Sequence, residues 1–516
     1  MPTRQLHLAQ AGPAEVAGAL AALRAEVGLP AMFPAAVREE AEEAANDGGR
    51  GAVDGGHASQ ARQDRRDVEL VTIDPPGSMD LDQAVHVASS GRGYIVRYAI
   101  ADVAAFVRPG GALDAETHRR GTTVYGPDVR TPLHPTVLSE GAASLLPDED
   151  RPAVLWTIGL DAEGEITSSS VTRATVRSRA RLTYGEAQAH LDAGTAADSL
   201  SLLADVGRLR QARERDRGGV SLEVPEQEIV PRPDGSFALE LRRTLPVEGW
   251  NAQISLLTGI AAAAMMREAG VGLFRTLPPA DDRDVARLRR TAAALGIDWP
   301  DEVSYAQLVP ALESRRPAHA AFLAEATSLF RGAGYLAFGV PGPDGGAPVA
   351  LPADARHAAI GAEYAHVTAP LRRLADRYAT EVCLAHGAGR EVPSWVTEAL
   401  PALPETMTTA SRTAGAFERG SVDIVEAALL SGQEGEVFDG VVVDVRDAPD
   451  DRATGGGAAP GDSDARRGEV ERGEVMLREP AVRARLDGRA LPLGERVRAT
   501  LAEASVPERR VLFTLP

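Results

Sequence analysis

The feature that most constrains this chain is a short β-type run that ends on a carboxylate and breaks at once into two prolines. It reads Val71-Thr72-Ile73-Asp74-Pro75-Pro76-Gly77-Ser78-Met79-Asp80-Leu81-Asp82-Gln83-Ala84. Pro75 and Pro76 remove backbone donors and fix φ, so an irregular turn must follow Asp74. If the next piece is extended, Asp80 and Asp82 share one side and Leu81 takes the other. Three carboxylates converging at a strand end make a cage for a hard divalent cation, and Mg²⁺ takes one or two such groups plus substrate phosphate oxygens. The same spacing on a surface loop is only a solvated acidic turn. The apolar runs on either side, Val68–Ile73 and Tyr94–Val107, place this turn inside a core sheet.

The 516 residues suffice for two to four domains and a large core. The single cysteine, Cys383, excludes a disulfide framework and fits a reducing compartment. No basic stretch followed by an apolar run opens the chain, and the longest apolar run, 254–266, is too short to span a bilayer. A cytoplasmic protein without membrane contact is expected, and a monomer. The net charge of −19 argues against nucleic acid. All 55 basic residues are arginine, whose planar fork suits phosphate. GC-rich codon usage explains that bias more simply.

Along the chain, Glu15–Val27 has helical apolar spacing (Val16, Leu20, Leu23, Val27), and Ala41–Gln63 is Gly-, Ala- and acid-rich and reads as flexible. Gly93–Val107 reads as a strand carrying Asp102 near its end. A strand ending near Leu160 turns at Asp161–Gly164, and Ser170–Tyr184 reads as the next strand. Leu202–Arg217 is a charged amphipathic helix, and residues 254–266 form a buried one. In the run 364–377, Thr368 is a candidate N-cap, Pro370 fits a first turn, and Arg372 lies near the helix start, where N–H groups and a guanidinium clamp phosphate. A helix over Pro404–Leu430 precedes a small β domain beginning at Gly435. Its candidate strands are 437–445, 473–477, 482–486 and 497–501.

Six segments, spread over roughly residues 67–430, resemble in order the ribonuclease II (RNB) family of 3′-to-5′ exoribonucleases. The family pattern T-I-D, five residues, then D-x-D-D-A is matched by Asp74, Asp80 and Asp82, with Gln83 at the position that is usually a fourth Asp. Y-A-x-x-T-S-P-I-R-x-x-x-D is matched by Tyr364 to Asp376, with Ala369 for the serine. The A-I-A-D, R-G-T-x-V-Y, S-L-x5-R-P and S-x-A-x-L-x-Y segments are also present.

The resemblance implies an α+β fold: an RNB catalytic domain (a mixed sheet surrounded by helices) over 67–432, an OB-type barrel over 433–516 with a mobile loop at 448–467, and a short helical and flexible segment over 1–66. It implies hydrolysis of single-stranded RNA to nucleoside 5′-monophosphates with Mg²⁺, or Mn²⁺, on Asp74, Asp80 and Asp82. Two ions about 3.5–4 Å apart would hold the attacking and leaving oxygens. Asp82 and Arg372 carry the catalytic roles, Arg372 on the scissile phosphate. Tyr125, Tyr184 and Glu248 hold the terminal nucleotide, Tyr125 by stacking and Glu248 through a ribose 2′-hydroxyl. Tyr125 also reads as a loop anchor and Glu248 as a helix-start acid.

Asp102 and Asp376 are candidates to replace the acid missing at Gln83, and each also reads as a buried structural Asp. Arg373 and Arg377 are structural or line the channel. Residues 1–66 hold nothing long or β-rich enough for the RNA-gripping barrels common in the family. The barrel after 433 is neither strongly basic nor provided with a stacking pair, so a weak RNA grip is expected there. Two other classes stay open: a catalytically weak or silent RNA-binding protein, suggested by Gln83, and a phosphodiesterase for small nucleotides.

Overall fold

The computed structural model describes residues 13–49, 62–221, 226–232, 237–242, 244–313, 316–342, 344–446, 470–477 and 479–515. Five longer strands build the central sheet, Leu70–Asp74, Gln83–Ser90, Gly93–Ala101, Asp150–Leu160 and Ile166–Thr183, and a sixth, the two-residue Gln63–Asp64, lies parallel to Ile166–Thr183. Neighbours in this order are antiparallel. The last strand runs 18 residues, long enough to pair a second time. Its far end lies parallel to Leu70–Asp74, with Asp74 opposite Thr183, so the sheet closes on itself.

The alternation of side chains in these strands separates two cores. Val96, Tyr98, Ile100, Val154, Trp156 and Ile158 face the larger one, packed under the helices Pro246–Ala269 and Leu374–Gly387. Ala99, Ala101, Ala153, Leu155, Ala174 and Val176 face a smaller one with Phe106 and Leu113. One face carries large residues and the other mostly small ones. Trp156 and Tyr98 are fully buried, and burying a large apolar side chain stabilises the fold by about 1.5–3 kcal/mol.

The helix Pro246–Ala269 starts with Pro246 in its first turn and ends on Gly270 in the left-handed conformation. It is apolar nearly all round because it is covered nearly all round: Ile254, Leu257, Ala261, Ala262 and Met266 are buried. Gly259 marks its closest approach to the chain that leads into Arg372, and the Ala365 N–H donates to the Gly259 carbonyl at 3.1 Å.

At the C-terminal end, Val437–Arg446, Glu471–Leu477, Arg483–Gly488, Arg510–Thr514 and Arg496–Ser505 close a five-stranded barrel. Four strands were expected; Arg510–Thr514 is the fifth. Phe438 and Phe513 meet edge to face, and Phe513 is wholly buried. The barrel core continues into the long helix Leu403–Leu430 and the helix Pro13–Glu26 through Val16, Leu20, Leu23, Phe417 and Ile424.

The N-terminal region departs from expectation in its described part. Ala35–Asn46 is a helix, with Val37 and Ala41 buried and packed on the helix Ala112–Arg120, so the flexible reading fails over 41–46. Buried alanines supply the apolar stripe that an acid- and Ala-rich composition hides. Residues 50–61 and the expected mobile loop 448–467 lie outside the described residues. Among the described residues no helix is long and apolar enough to cross a membrane.

A Cβ on Gly259 would stand 2.1 Å from the Tyr364 ring and 2.6 Å from the Ala365 oxygen. Overpacking of this kind costs about 1–3 kcal/mol. Gly259→Ala is expected to lower the unfolding free energy by that amount, read by equilibrium unfolding as a lower urea midpoint with an unchanged m-value.

Candidate active site

Strand Leu70–Asp74 delivers Asp74 to the rim of the sheet, and the chain turns on Pro75, Pro76 and Gly77, whose φ is 80°. The stretch that follows is held by backbone contacts. Leu81 N–H donates to Ser144 Oγ at 3.0 Å, the Ser144 hydroxyl donates to Met79 O at 2.6 Å, and Leu145 N–H donates to Leu81 O at 3.0 Å. Leu81 is buried in the smaller core, which sends Asp80 and Asp82 to its flanks as the alternation requires.

Each acid then finds its own surroundings. The Asp82 carboxylate accepts the Leu371 N–H at 2.7 Å and lies 3.2 Å from Arg372 Nε. Asp80 accepts the Tyr125 hydroxyl at 2.7 Å and Arg130 Nη1 at 2.8 Å. Asp74 is half-buried, and among the described residues its carboxylate has no hydrogen-bond or ion-pair partner. Burial pushes the Asp74 carboxyl up to about 6, helped by the Asp80 charge and opposed by Arg372 and Arg181. Burial likewise pushes Asp82 up to about 7, against the pull of Arg372 and the Leu371 N–H.

The three acids therefore share one rim without converging on a point. Among the described residues, no three His, Cys, Asp or Glu side chains stand close enough together to hold one ion. Like charges at this range repel, and Asp80 and Asp82 turn to the nearest protein donors instead. The donor set still suits a hard cation. It offers carboxylate oxygens, one of them unpartnered, in a setting dry enough to raise their affinity for positive charge.

Arg372 comes from a loop and not from a helix start. The helix begins at Leu374, with Arg373 as its N-cap residue. Thr368 is thus no cap; its carbonyl accepts the Gln83 amide N–H at 2.5 Å. The loop is shaped by Asp376, which accepts the Ala369 N–H at 2.7 Å and Arg373 Nη2 and Nε at 2.8 and 2.9 Å. Arg372 O in turn accepts Thr123 N–H at 2.9 Å and Thr122 Oγ at 2.8 Å, tying this loop to the one that presents Tyr125. The side chain of Arg372 is 45% exposed and Tyr125 is 48% exposed, so this edge of the site opens to solvent.

Of the two acids considered as substitutes, Asp376 is spent on that loop. Asp102 follows the end of strand Gly93–Ala101 and is buried between Arg62 at 2.7 Å and Arg173 at 3.0 Å, with Arg173 also paired to Glu381. Both are structural ion pairs, which corrects the expectation that either could fill in at the metal site. Gln83 is engaged at both ends: its Nε2 on Thr368 O, its Oε1 accepting the Tyr98 hydroxyl at 3.0 Å. Arg377 is buried against Asp114 and Val107 O, which makes it structural as well.

Tyr184 opens the helix Tyr184–Asp192 and is hydrogen-bonded to Asn251. Burial raises its hydroxyl, and the charge of Asp74 nearby adds to the effect. Glu248 accepts Leu245 N–H at 2.8 Å, as a helix-start acid does, and pairs with Arg242 at 2.9 Å. Sequence reading missed Arg130, Arg181 and Asn251. Asn251 stands three positions after Glu248 on the same helix, and that spacing is the one signal that could have found it.

A closed α+β sheet domain with acids and an arginine at its rim, followed by a small OB-type barrel, defines the class of this protein. The family model of the RNB domain matches residues 62–385, and that of the RNase II-type exonuclease C-terminal S1 domain matches 436–515. The chain belongs to the RNB-domain family. It is 27% identical over 415 residues to Ribonuclease R of Escherichia coli, covering 75% of this chain and 49% of that one. It is 29% identical over 330 residues to the human Exosome complex exonuclease RRP44, covering 61% of this chain and 33% of the relative. The chain thus spans about half the length, or less, of the curated relatives it matches.

The fold is similar to the apo form of Mycoplasma genitalium RNase R, with a TM-score of 0.80 at 21% identity over 97% of this chain and 78% of that one. It is also similar to yeast Ssd1, described as a pseudonuclease, with a TM-score of 0.64 at 17% identity over 88% of this chain and 52% of that one.

A carboxyl that folding moves up from 3.8 stabilises the protein while protonated. That contribution is complete below about pH 3.8 and is lost as the pH rises through about 6 for Asp74 and about 7 for Asp82. In EDTA, Asp82→Asn is therefore expected to melt at least about 2 °C above the wild type at pH 8. The gap should close toward pH 5. Calorimetry at both pH values checks this, and a variant less stable than wild type at pH 8 contradicts it.

Proposed function

We propose that this protein hydrolyses single-stranded RNA from the 3′ end, releasing nucleoside 5′-monophosphates. The observation that carries the reading is the pairing of Arg372 with Asp82 at the solvent-open rim, so that a guanidinium and a carboxylate-held cation can grip one phosphodiester. Family membership supports it, as do the relatives named as ribonucleases. The Mycoplasma genitalium RNase R structures include a complex with ribose-methylated single-stranded RNA, at a TM-score of 0.79.

In this reading Asp74, Asp80 and Asp82 hold a divalent cation, Mg²⁺ or Mn²⁺. When bound, that ion lowers the pKa of a coordinated water and neutralises phosphate charge. The protein's own groups do the rest. Arg372, anchored through its carbonyl and paired by one edge, turns its remaining N–H groups toward a phosphate's non-bridging oxygens. Tyr125 offers an exposed ring on which any terminal base stacks. Tyr184, Asn251 and Glu248 line the Asp74 side, and the Glu248 oxygens accept from a ribose 2′-hydroxyl once Arg242 yields. Because Asp74 and Asp82 are held partly protonated near neutrality, the charge that receives a cation develops as the pH rises through 6 to 7.

A second reading, an RNA-binding protein without catalysis, is favoured by one observation. Gln83 brings no charge, and its amide is consumed by Thr368 and Tyr98. The likeness to a pseudonuclease fold keeps that reading in view.

Degradation of a 5′-labelled oligoribonucleotide with Mg²⁺ or Mn²⁺ separates the two. The wild type is expected to shorten the strand stepwise from the 3′ end. Asp82→Asn should be silent, Arg372→Ala should lose about 10²–10³ in kcat, and Tyr125→Ala should weaken binding by about 1–3 kcal/mol. A wild type that binds the oligomer without cleaving it establishes the second reading.

A further inference from the structure

The loop that carries Tyr125 runs from Arg120 to Pro132 and is pinched at its neck. There Val124 N–H donates to Thr131 O at 2.9 Å and Thr131 N–H to Val124 O at 2.8 Å. The turn beyond the neck, Tyr125 to Arg130, therefore projects as one piece, with Tyr125 48% exposed. Residues 20–33, far away in the chain, meet this loop at its tip, its neck and its base.

At the tip, Arg24 in the last turn of the helix Pro13–Glu26 pairs through Nη2 with the Asp128 carboxylate. The two side chains are 18% and 23% exposed, a partly shielded pair that solvent screens less than an open surface contact. The same Asp128 oxygen accepts the Val129 N–H at 2.9 Å and so shapes the turn. The Arg24 guanidinium also lies 5.3 Å from the centre of the Phe417 ring. Phe417 stands against the turn as well: a Cβ on Gly126 would come within 3.0 Å of its ring and 2.6 Å of Val129 O.

At the neck, Val124 is buried in one apolar cluster with Leu20, Leu23 and Phe417. At the base, the Arg120 guanidinium lies 3.7 Å from the centre of the Phe33 ring, donates to Met32 O at 3.1 Å and to Pro132 O at 3.0 Å, and gives its Nε to Glu116 at 2.7 Å. One buried side chain thus ties both ends of the loop to the chain that leaves the helix.

A ring stacks best on a base when its own position is fixed beforehand, because ordering a loop on binding costs affinity. The bond from the Tyr125 hydroxyl to Asp80 fixes the far end of that ring. Its backbone end is set by the turn, and the turn is set by Asp128 and Phe417. We infer that the helix Pro13–Glu26 is part of the substrate site, with Arg24 a positioning residue that acts through Asp128 to hold Tyr125 ready for the terminal base. This rests on the stacking role given to Tyr125 above and adds the brace behind it.

A single-stranded oligoribonucleotide with 2-aminopurine at its 3′ end reports stacking by loss of fluorescence, and EDTA keeps it uncleaved. The wild type should quench the label, and Tyr125→Ala should abolish the quenching. Arg24→Ala and Asp128→Ala should each weaken quenching and raise the Kd about three- to tenfold, and the double variant no further than either alone, since the two act as a unit. Glu26→Gln, which breaks the 2.9 Å contact of the same helix with Arg509 in the barrel, should bind as the wild type does. That comparison separates the loop contact from a general loosening of the helix. If Arg24→Ala does not fold, Asp128→Asn serves in its place with the same expected loss. Quenching and affinity unchanged in the Arg24 and Asp128 variants, or an equal loss in Glu26→Gln, overturns the inference and leaves the nuclease reading standing. A wild type that does not quench the label removes the stacking role of Tyr125, and this inference with it.

Discussion

The Asp82 carboxylate joins two parts of the chain 289 residues apart, and the geometry of the site depends on it. One oxygen takes the Leu371 N–H and the other faces Arg372, so the sheet rim and the loop before the Leu374–Gly387 helix are docked through a single buried acid. A buried carboxylate is costly unless its lone pairs are met, which makes the docking specific: another register would leave the charge stranded. From Arg372 the chain of contacts runs on through its carbonyl to Thr122 and Thr123 and so to the loop of Tyr125 and Arg130.

Carboxylates in this protein fall into two kinds by how completely they are satisfied. Asp102 between Arg62 and Arg173, Asp114 with Arg377 and the Gly110 N–H, and Asp376 with Ala369 and Arg373 each meet a guanidinium in close contact. Opposite charge offsets the burial of Asp102 and Asp114, and both carboxyls sit below the usual range. Asp74 and Asp82 are buried with too little compensation, and both sit well above it. The first kind stabilises the scaffold. The second stores unfavourable free energy that a cation would release, the usual relation between a binding site and the stability of the fold around it.

Much of the architecture was legible because it rests on local rules. Alternation marked Gly93–Ala101, an unbroken apolar run marked the Pro246–Ala269 helix, and a Pro-Pro-Gly turn marked the end of the Leu70–Asp74 strand. The failures share a physical cause. Thr368 has the form of an N-cap, but the Leu371 N–H that such a cap would accept from already goes to Asp82, and the helix starts only at Leu374. Ala35–Asn46 looks like a tether until its alanines meet Ala112–Arg120. Arg130 is one arginine among 55, and nothing beside it in the chain says that it will find Asp80.

By itself the amino-acid order determined which residues could do chemistry: an acid at a strand end, two more around a buried leucine, an amide where a fourth acid is usual, and an arginine beside a proline turn. Backbone stereochemistry and side-chain periodicity act over a few residues, so that much follows from neighbours. Only the tertiary structure decided what each group became. It gave Asp102 and Asp376 to the scaffold, left Asp74 without a partner among the described residues, placed Arg372 on Asp82 and closed Arg130 over Asp80. Charge interactions and desolvation depend on distance through space and on exclusion of water, and neither is set until segments far apart in the chain are packed together.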